Sequence, residues 1–286
     1  MKGNRFKFAV EKMCKAFNVS RSGYHDWLNR RPSRRAIEAE KIKKMIRYVH
    51  QQSKGRYGSP KITEELKFKG VSISRPRVAR MMRSEGIRSI IHKRYRVSTT
   101  DSKHNYQVSD NHLKRNFKTQ SPGQVWVSDI TYIATYQGWL YLTIIMDLYD
   151  RKIIGWALSR TLTTTDTIMA AWRMALINRP ISSQLIFHSD RGVQYASNEF
   201  RQVLSNKPVT QSMSRKADCW DNAVAENFFK ILKSELIYHS KFQTRLHAKN
   251  EVFEFIEIWY NRKRRHSYLG YLTPNEYGKY QLLNVA

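Results

Sequence analysis

The pattern of apolar positions changes character near residue 124. Before it, apolar residues recur at helical spacing inside short basic segments. Residues 7–17 and 24–28 read as two short helices around the turn Asn18-Val19-Ser20-Arg21-Ser22-Gly23, where Ser20 is a capping type. Residues 36–53 read as a longer basic helix. The turn Gly55-Arg56-Tyr57-Gly58-Ser59-Pro60 then opens a helix over 61–69, which Gly70 ends. Ser74 caps a further helix over 75–83, with Val78, Met81 and Met82 turned to its own core. Arg75, Arg77, Arg80 and Arg83 crowd that helix. Helix, turn and capped second helix is a helix-turn-helix layout, and it occurs twice, in 1–35 and in 36–90. Residues 91–120 are polar and basic without periodicity, as in a linker or extended arm.

After residue 124 the period shortens to two. QVWVSDITYIA, GWLYLTIIMDL and RKIIGWALS read as three strands, separated at Gly138 and at the turn Tyr149-Asp150-Arg151. Residues 163–178 are helical, 184–187 form a short buried strand, 197–205 are helical and 209–213 form another strand. Helices follow over 221–236 and 244–260. Hairpin-linked strands followed by alternating helices and strands predict an α/β domain with a mixed sheet over 121–286.

Charge adds a division of labour. The chain of 286 residues has 51 Lys and Arg against 23 Asp and Glu, a net charge of +28. Residues 1–120 hold 31 of the cations and 9 of the acids, whereas residues 121–240 hold 12 and 10. So polyanion binding, to nucleic acid before membrane, is expected of the first part and a different task of the second. An apolar content of 41% is too high for a disordered chain. No stretch approaches the ~18 apolar residues of a membrane span. Nor does the start of the chain read as a signal peptide. Cys14 and Cys219 are the only cysteines, which excludes a disulfide scaffold and fits a reducing cytosol.

The chemistry lies in three acids. Asp129 sits midway along the first strand, in VWVSDITYI. A carboxylate there is costly unless compensated. Asp190 ends the buried run LIFHSD, at the carboxyl edge of a strand, where α/β sites form. Glu226 lies on the helix DNAVAENFFKILKSEL, among Phe228, Phe229 and Leu232. Three hard oxygen donors on three elements point to Mg²⁺ or Mn²⁺, two ions per site, serving phosphoryl transfer. Thirty-five residues separate Asp190 from Glu226.

With WVSDITYI, FHSDRGVQY, CWDNAVAENFFKILKSE and the tail YNRKRRHSYLGYLTPNEY in this order, the chain resembles the second-reading-frame transposases of the insertion-sequence-three family. Their catalytic domain is shared with retroviral integrases. The resemblance runs from Gly55-Arg56-Tyr57-Gly58 to Tyr277. It implies an RNase H-like catalytic domain with a mixed five-stranded sheet, preceded by all-α helix-turn-helix regions. Asp129, Asp190 and Glu226 would be its metal-binding catalytic triad. The activity implied is hydrolysis of a phosphodiester at the element's end, then attack of the freed 3′-OH on another, without a covalent enzyme intermediate. Double-stranded DNA, a homodimer or larger assembly on it, and fusion to an upstream-frame protein are the implied partners. The setting implied is a prokaryotic cytoplasm, on the nucleoid.

Neighbouring residues receive supporting roles. Lys230 and Lys233 lie four and seven positions after Glu226, on its helix face, suited to scissile-end phosphates. Trp220 can stack on a splayed base, and Asn222 flanks the same helix start. His188, two positions before Asp190, faces the same way and can contact phosphate or serve as a core histidine. Arg215 and Lys216 are expected to contact phosphate from a loop. Asp147 and Asp150 are explained by turn capping. The histidines and cysteines offer no zinc-ligand pairing, and no long heptad run is present. Two rival readings stay open: an RNase H-type nuclease without strand transfer, and a catalytically inert DNA-binding regulator.

Overall fold

The computed structural model describes residues 1–91, 108–181, 184–215 and 219–285; for Cys219 and 281–285 it describes the backbone alone. The chain divides into two compact units, Met1–Ser89 and Ile90–Ala286.

The first unit contains five α-helices among its described residues: α1 (Val10–Ala16), α2 (Arg21–Asn29), α3 (Arg34–Gln52), α4 (Ser59–Phe68) and α5 (Arg75–Ser84). Ser20 caps α2 as its sequence predicts, its Oγ accepting the Gly23 N–H at 3.0 Å. Ser33 does the same for α3 through Ala36, at 3.2 Å. Ser74 stands at the N-cap of α5 but makes no side-chain cap bond. Pro76 in the first turn removes one of the N–H donors that such a cap uses. Ile42 and Ile46 of α3, Ile62 and Leu66 of α4, and Val78 and Met82 of α5 are buried.

In the second unit, β1 (Val125–Thr135), β2 (Gly138–Asp147) and β3 (Ile153–Ser159) form an antiparallel meander. A π-helical turn, Thr165–Met169, leads into α6 (Ala170–Asn178), which packs on β3. Next come β4 (Leu185–Ser189), α7 (Val193–Ala196), α8 (Asn198–Ser205) and β5 (Val209–Met213). The sheet order is β3-β2-β1-β4-β5, with β4 parallel to β1 and β5 parallel to β4. This is the mixed five-stranded sheet that the sequence implies. After the sheet, α9 (Ala223–Glu235) packs on β1, α10 (Arg245–Phe253) continues as a π-helical segment Glu254–Tyr260, and α11 (Pro274–Val285) follows.

One face of the sheet is an aromatic core. Trp172 of α6 lies edge-on to Trp126 at 5.5 Å and to Phe187 at 5.4 Å between ring centres, and Phe187 meets Phe200 of α8 at 5.3 Å. Gly155 lets β3 come unusually close to α6. A Cβ at position 155 would stand 2.2 Å from the Ala171 carbonyl oxygen. The β1–β2 turn needs Gly138 at φ +103°, and the Gln137 side chain accepts the Arg245 N–H at 2.9 Å, bracing it.

Part of the expected arm departs from that reading. Residues 108–115 dock along the outer strand β5. Met213 N–H donates to the Asp110 carbonyl, Ser212 Oγ accepts the His112 N–H at 2.9 Å, and Leu113 is buried. Ser212 and buried Leu113 anchor this piece; residues 92–107 of the arm lie outside the described residues.

Candidate active site

Strand register brings the first two acids side by side. In the parallel β1–β4 pair, Val127 is level with His188. Two residues on in each strand stand Asp129 and Asp190, the latter just past the end of β4. Neighbouring strands run ~4.8 Å apart, so these carboxylates share one small space. Asp129 Oδ1 accepts the Ile130 N–H at 2.8 Å, and Asp190 Oδ1 accepts the Gly192 N–H at 2.9 Å. Glu226 enters from the first turn of α9, the helix packed on β1, with its side chain toward solvent.

The three acids act on one another. Burial holds the Asp129 carboxyl well above the ordinary range; Asp190 and Glu226 push it further and Lys233 opposes them. Glu226 is also raised, by partial burial and then by Asp190. Lys233 is half-buried; desolvation lowers its pKa and Asp129 works against that. Among the described residues, no three His, Cys, Asp or Glu side chains are already drawn into a metal-holding group. Asp190 raises the pKa of both Asp129 and Glu226, and Glu226 that of Asp129, as like charges brought near each other do. An all-oxygen, repelling donor set with deficient counter-charge fits a hard divalent cation in kind, though not yet in closure.

The structure sorts the supporting residues. Lys233 is electrostatically linked to Asp129, whereas Lys230 is exposed on α9. Trp220 is 68% exposed at the entrance to α9. His188 belongs to the core instead of a nucleic-acid surface. It is fully buried, Nδ1 lies 2.9 Å from Ser212 Oγ and Nε2 lies 3.2 Å from Ser214 Oγ. Burial lowers its pKa to about 4, so the ring is neutral. Asn222 is likewise corrected: it is 3% exposed, and its Nδ2 donates to the Ser128 carbonyl at 3.1 Å, bracing the residue beside Asp129. The Arg215 guanidinium is engaged by Asp221 at 3.0 Å, so a phosphate there competes with a carboxylate. Lys216 lies outside the described residues. In the first unit Arg75, Arg80 and Arg83 are exposed, while Arg77 pairs with Glu38 of α3 at 3.0 Å.

Asp147 and Asp150 do cap their turn, accepting the Tyr149 and Lys152 N–H groups. They also hold Arg179 between them, at 2.6 and 2.7 Å. Two groups near the acids escape a reading by residue type. Tyr195, buried under the site, donates to Ser128 Oγ at 2.8 Å, while that hydroxyl donates to the Ile144 carbonyl. Burial and the nearby Asp190 and Asp129 hold its phenol well above the usual range. Asp221 is the other, with no exposed surface and several donors aimed at it.

Comparison with known proteins agrees with this architecture. Residues 37–95 match the family described as HTH-like domain, and 119–219 and 226–282 match two models of the integrase core domain. A 31 kDa protein of insertion element IS600 from Shigella sonnei is 40% identical over 262 residues, 92% of this chain and 96% of that protein. Transposase InsF of insertion sequence IS3A from Escherichia coli (strain K12) is 36% identical over 273 residues, 95% of this chain and 94% of that one. Among solved structures, the HTLV-2 integrase catalytic core domain in complex with magnesium aligns at a TM-score of 0.42 and 14% identity, over 56% of this chain and 99% of that chain. With relatives this similar along nearly their whole length, the chain belongs to the IS3-type family of insertion-sequence transposases.

Proposed function

We infer that the chain cuts and joins DNA at the ends of its element, with Asp129, Asp190 and Glu226 as the reaction site. The observation that carries this is the β1–β4 register, which sets Asp129 beside Asp190 while α9 delivers Glu226 to the same electrostatic neighbourhood. These carboxylates would hold Mg²⁺ or Mn²⁺, two ions per site. When bound, such ions supply Lewis acidity to the attacking and leaving oxygens of a phosphodiester.

The protein's own groups do the rest. Lys233 balances charge beside Asp129 and receives a phosphate oxygen of the scissile end. Lys230, one turn nearer Glu226, extends that contact outward. Trp220 offers an exposed ring to an unstacked base. Tyr195 keeps its proton, its phenol raised by burial and two nearby acids, and its buried hydroxyl is committed to Ser128 Oγ beneath the site. No other tyrosine is required, and transfer proceeds from DNA oxygen to DNA oxygen.

End recognition falls to the helix-turn-helix region 36–90, aided by 1–35, with Arg75, Arg80 and Arg83 presented on α5. Arg77 joins them once Glu38 is exchanged for phosphate. Two DNA ends require two sites, so a dimer or larger assembly on DNA is expected, with the upstream-frame protein as a further partner. No helix among the described residues is long and apolar enough to cross a membrane, and a cytoplasmic, nucleoid-bound enzyme is the fitting setting.

The test uses supercoiled DNA carrying both element ends. Asp190→Asn is expected to keep end binding and lose cleavage. Cleavage at the wild-type rate sinks the site. Joined products favour transposition, while nicked products alone favour the hydrolytic nuclease.

A further inference from the structure

Asp221 lies outside the three acids and outside the expected site. Its carboxylate is fully buried in the Cys219–Asn222 turn that feeds α9. Oδ2 accepts Asn111 Nδ2 at 2.8 Å, the Arg215 N–H at 2.9 Å and Arg215 Nε at 3.0 Å. Oδ1 accepts Arg115 Nε at 2.9 Å and Arg215 Nη2 at 3.0 Å. A buried carboxylate is tolerated only when donors close around it in this way. The arginines hold its pKa far below the ordinary carboxylate range, so it is charged throughout.

The groups joined at Asp221 lead to each acid of the site. Arg215 adjoins Ser214, whose N–H donates to the Ser189 carbonyl at 2.9 Å and whose carbonyl accepts Arg191 Nε at 2.7 Å. Those two residues flank Asp190. Asn222, next to Asp221, donates to the Ser128 carbonyl, and Ser128 adjoins Asp129. Glu226 follows five positions later, in the first turn of α9. On its other side Asp221 grips the segment 108–115. There Lys114 and Arg115 hold left-handed backbone at φ 47° and 62°, unusual for such residues. Asn111 Oδ1 supports that bend by accepting the Lys114 N–H at 2.9 Å. Strained backbone persists where its surroundings over-determine it, and here the Asp221–Arg115 ion pair acts together with the Asn111 and Ser212 hydrogen bonds.

We propose that Asp221, with Arg115 and Asn111 docked on it, is a positioning residue of the transfer reaction, setting the spacing of the segments that carry Asp129, Asp190 and Glu226. It touches none of the reacting atoms. The proposal rests on the reading of those three acids as the reaction site. Its relevance to catalysis is that the residues flanking Asp190 and Asp129 are tied, through Ser214, Arg215 and Asn222, to the one buried carboxylate that also precedes Glu226.

The test uses the full chain with Asp221→Asn, Arg115→Ala and the double variant. Rate at saturating DNA and metal is measured separately from end-DNA affinity. Asp221→Asn is expected to slow cleavage about 30-fold and Arg115→Ala about 5-fold, as for groups that orient metal ligands. End-DNA Kd is expected to stay within about twofold, because the end-reading helices are not touched. The double variant is expected to be no slower than Asp221→Asn, since both act through one contact. Wild-type cleavage in either single variant, losses that multiply in the double, or Kd weakening in step with the rate each overturn the proposal. Where Asp221→Asn fails to melt cooperatively, Arg115→Ala and Asn111→Ala carry the test: slower cleavage at unchanged Kd supports it, and wild-type rates overturn it. Glu226→Gln, run alongside, separates the two readings, because wild-type cleavage there removes the reaction site itself whatever Asp221 does.

Discussion

The two units use charge in opposite ways. In Met1–Ser89, Arg75, Arg80 and Arg83 stand in water on α5, and ion pairs such as Arg77–Glu38 lie at the surface. Each such charge is worth little alone, and their effect is a sum felt by a polyanion. In Ile90–Ala286 the consequential charges are inside. Glu235 accepts Arg264 Nη2 at 2.9 Å and Trp259 Nε1 at 2.9 Å with almost no exposed surface, and Arg179 is shared by Asp147 and Asp150. There, single groups decide outcomes, because an unpaired charge cannot turn to water. The contrast teaches that the near-neutral stretch 121–240, which holds Asp147, Asp150, Arg179 and Glu235, conceals the more demanding electrostatics.

That contrast can be broken at several points. The largest effect is expected at the site: Glu226→Gln should lower cleavage by roughly 10³-fold, the order of losing one preorganised electrostatic group. End binding, measured by titration, should hold. Next is Arg264→Met, which strands Glu235 inside; unfolding by urea should show a loss of about 3–5 kcal/mol. A smaller loss would mean that Glu235 reaches water. Asp129→Asn should do the reverse and raise Tm by about 2–4 °C, the worth of roughly 1 kcal/mol in a domain of this size. The sign follows from linkage. An acid whose pKa is raised on folding binds more protons folded than unfolded, so it favours the fold at low pH and weighs against it above the folded pKa. Wild-type stability should therefore gain from this group as pH falls, and Asp129→Asn should remove that dependence. The smallest effect belongs to the surface: Arg80→Ala should weaken end binding several-fold and reduce the salt slope by about 1. An unchanged slope would move the phosphate contact elsewhere.

His188 gives a second pH signature, opposite in direction. Its pKa falls to about 4 on folding, so the fold is favoured above the unfolded value and loses that support as pH drops toward 4. In His188→Asn, the acid-side loss measured by melting between pH 6.5 and 4 should shrink. A profile identical to wild type would mean that the ring titrates freely.

Much of this was legible along the chain because the signals are local. Alternation in VWVSDITYI marks β1 and makes Asp129 conspicuous, and the Ser20 cap follows from neighbours within three residues. Partner identity is not local. His188 and Asn222 look like candidates for DNA because their types are polar, but Ser212, Ser214 and Ser128 claim them, the first two 24 and 26 positions away and Ser128 94. Arg215 offered a free cation until Asp221, six positions on, closed over it. Asp221 itself was hidden for the same reason, since its importance lies in Asn111 and Arg115, more than 100 residues earlier. Leu113 sat in a polar stretch with no period to betray that it would be covered.

Gly155 fixes the gap between two layers to the width of a hydrogen atom. Any larger group there must lift α6 by more than an ångström, since the Ala171 oxygen lies 2.2 Å from where its first carbon would stand. Trp172 rides on that helix and seals the aromatic face, while β3, β2 and β1 are stitched into one ladder that ends beside the acids. The missing side chain is thus the spacer between strand and helix, since any carbon at position 155 would also press on Ala175, 2.8 Å away, and force β3 and α6 apart.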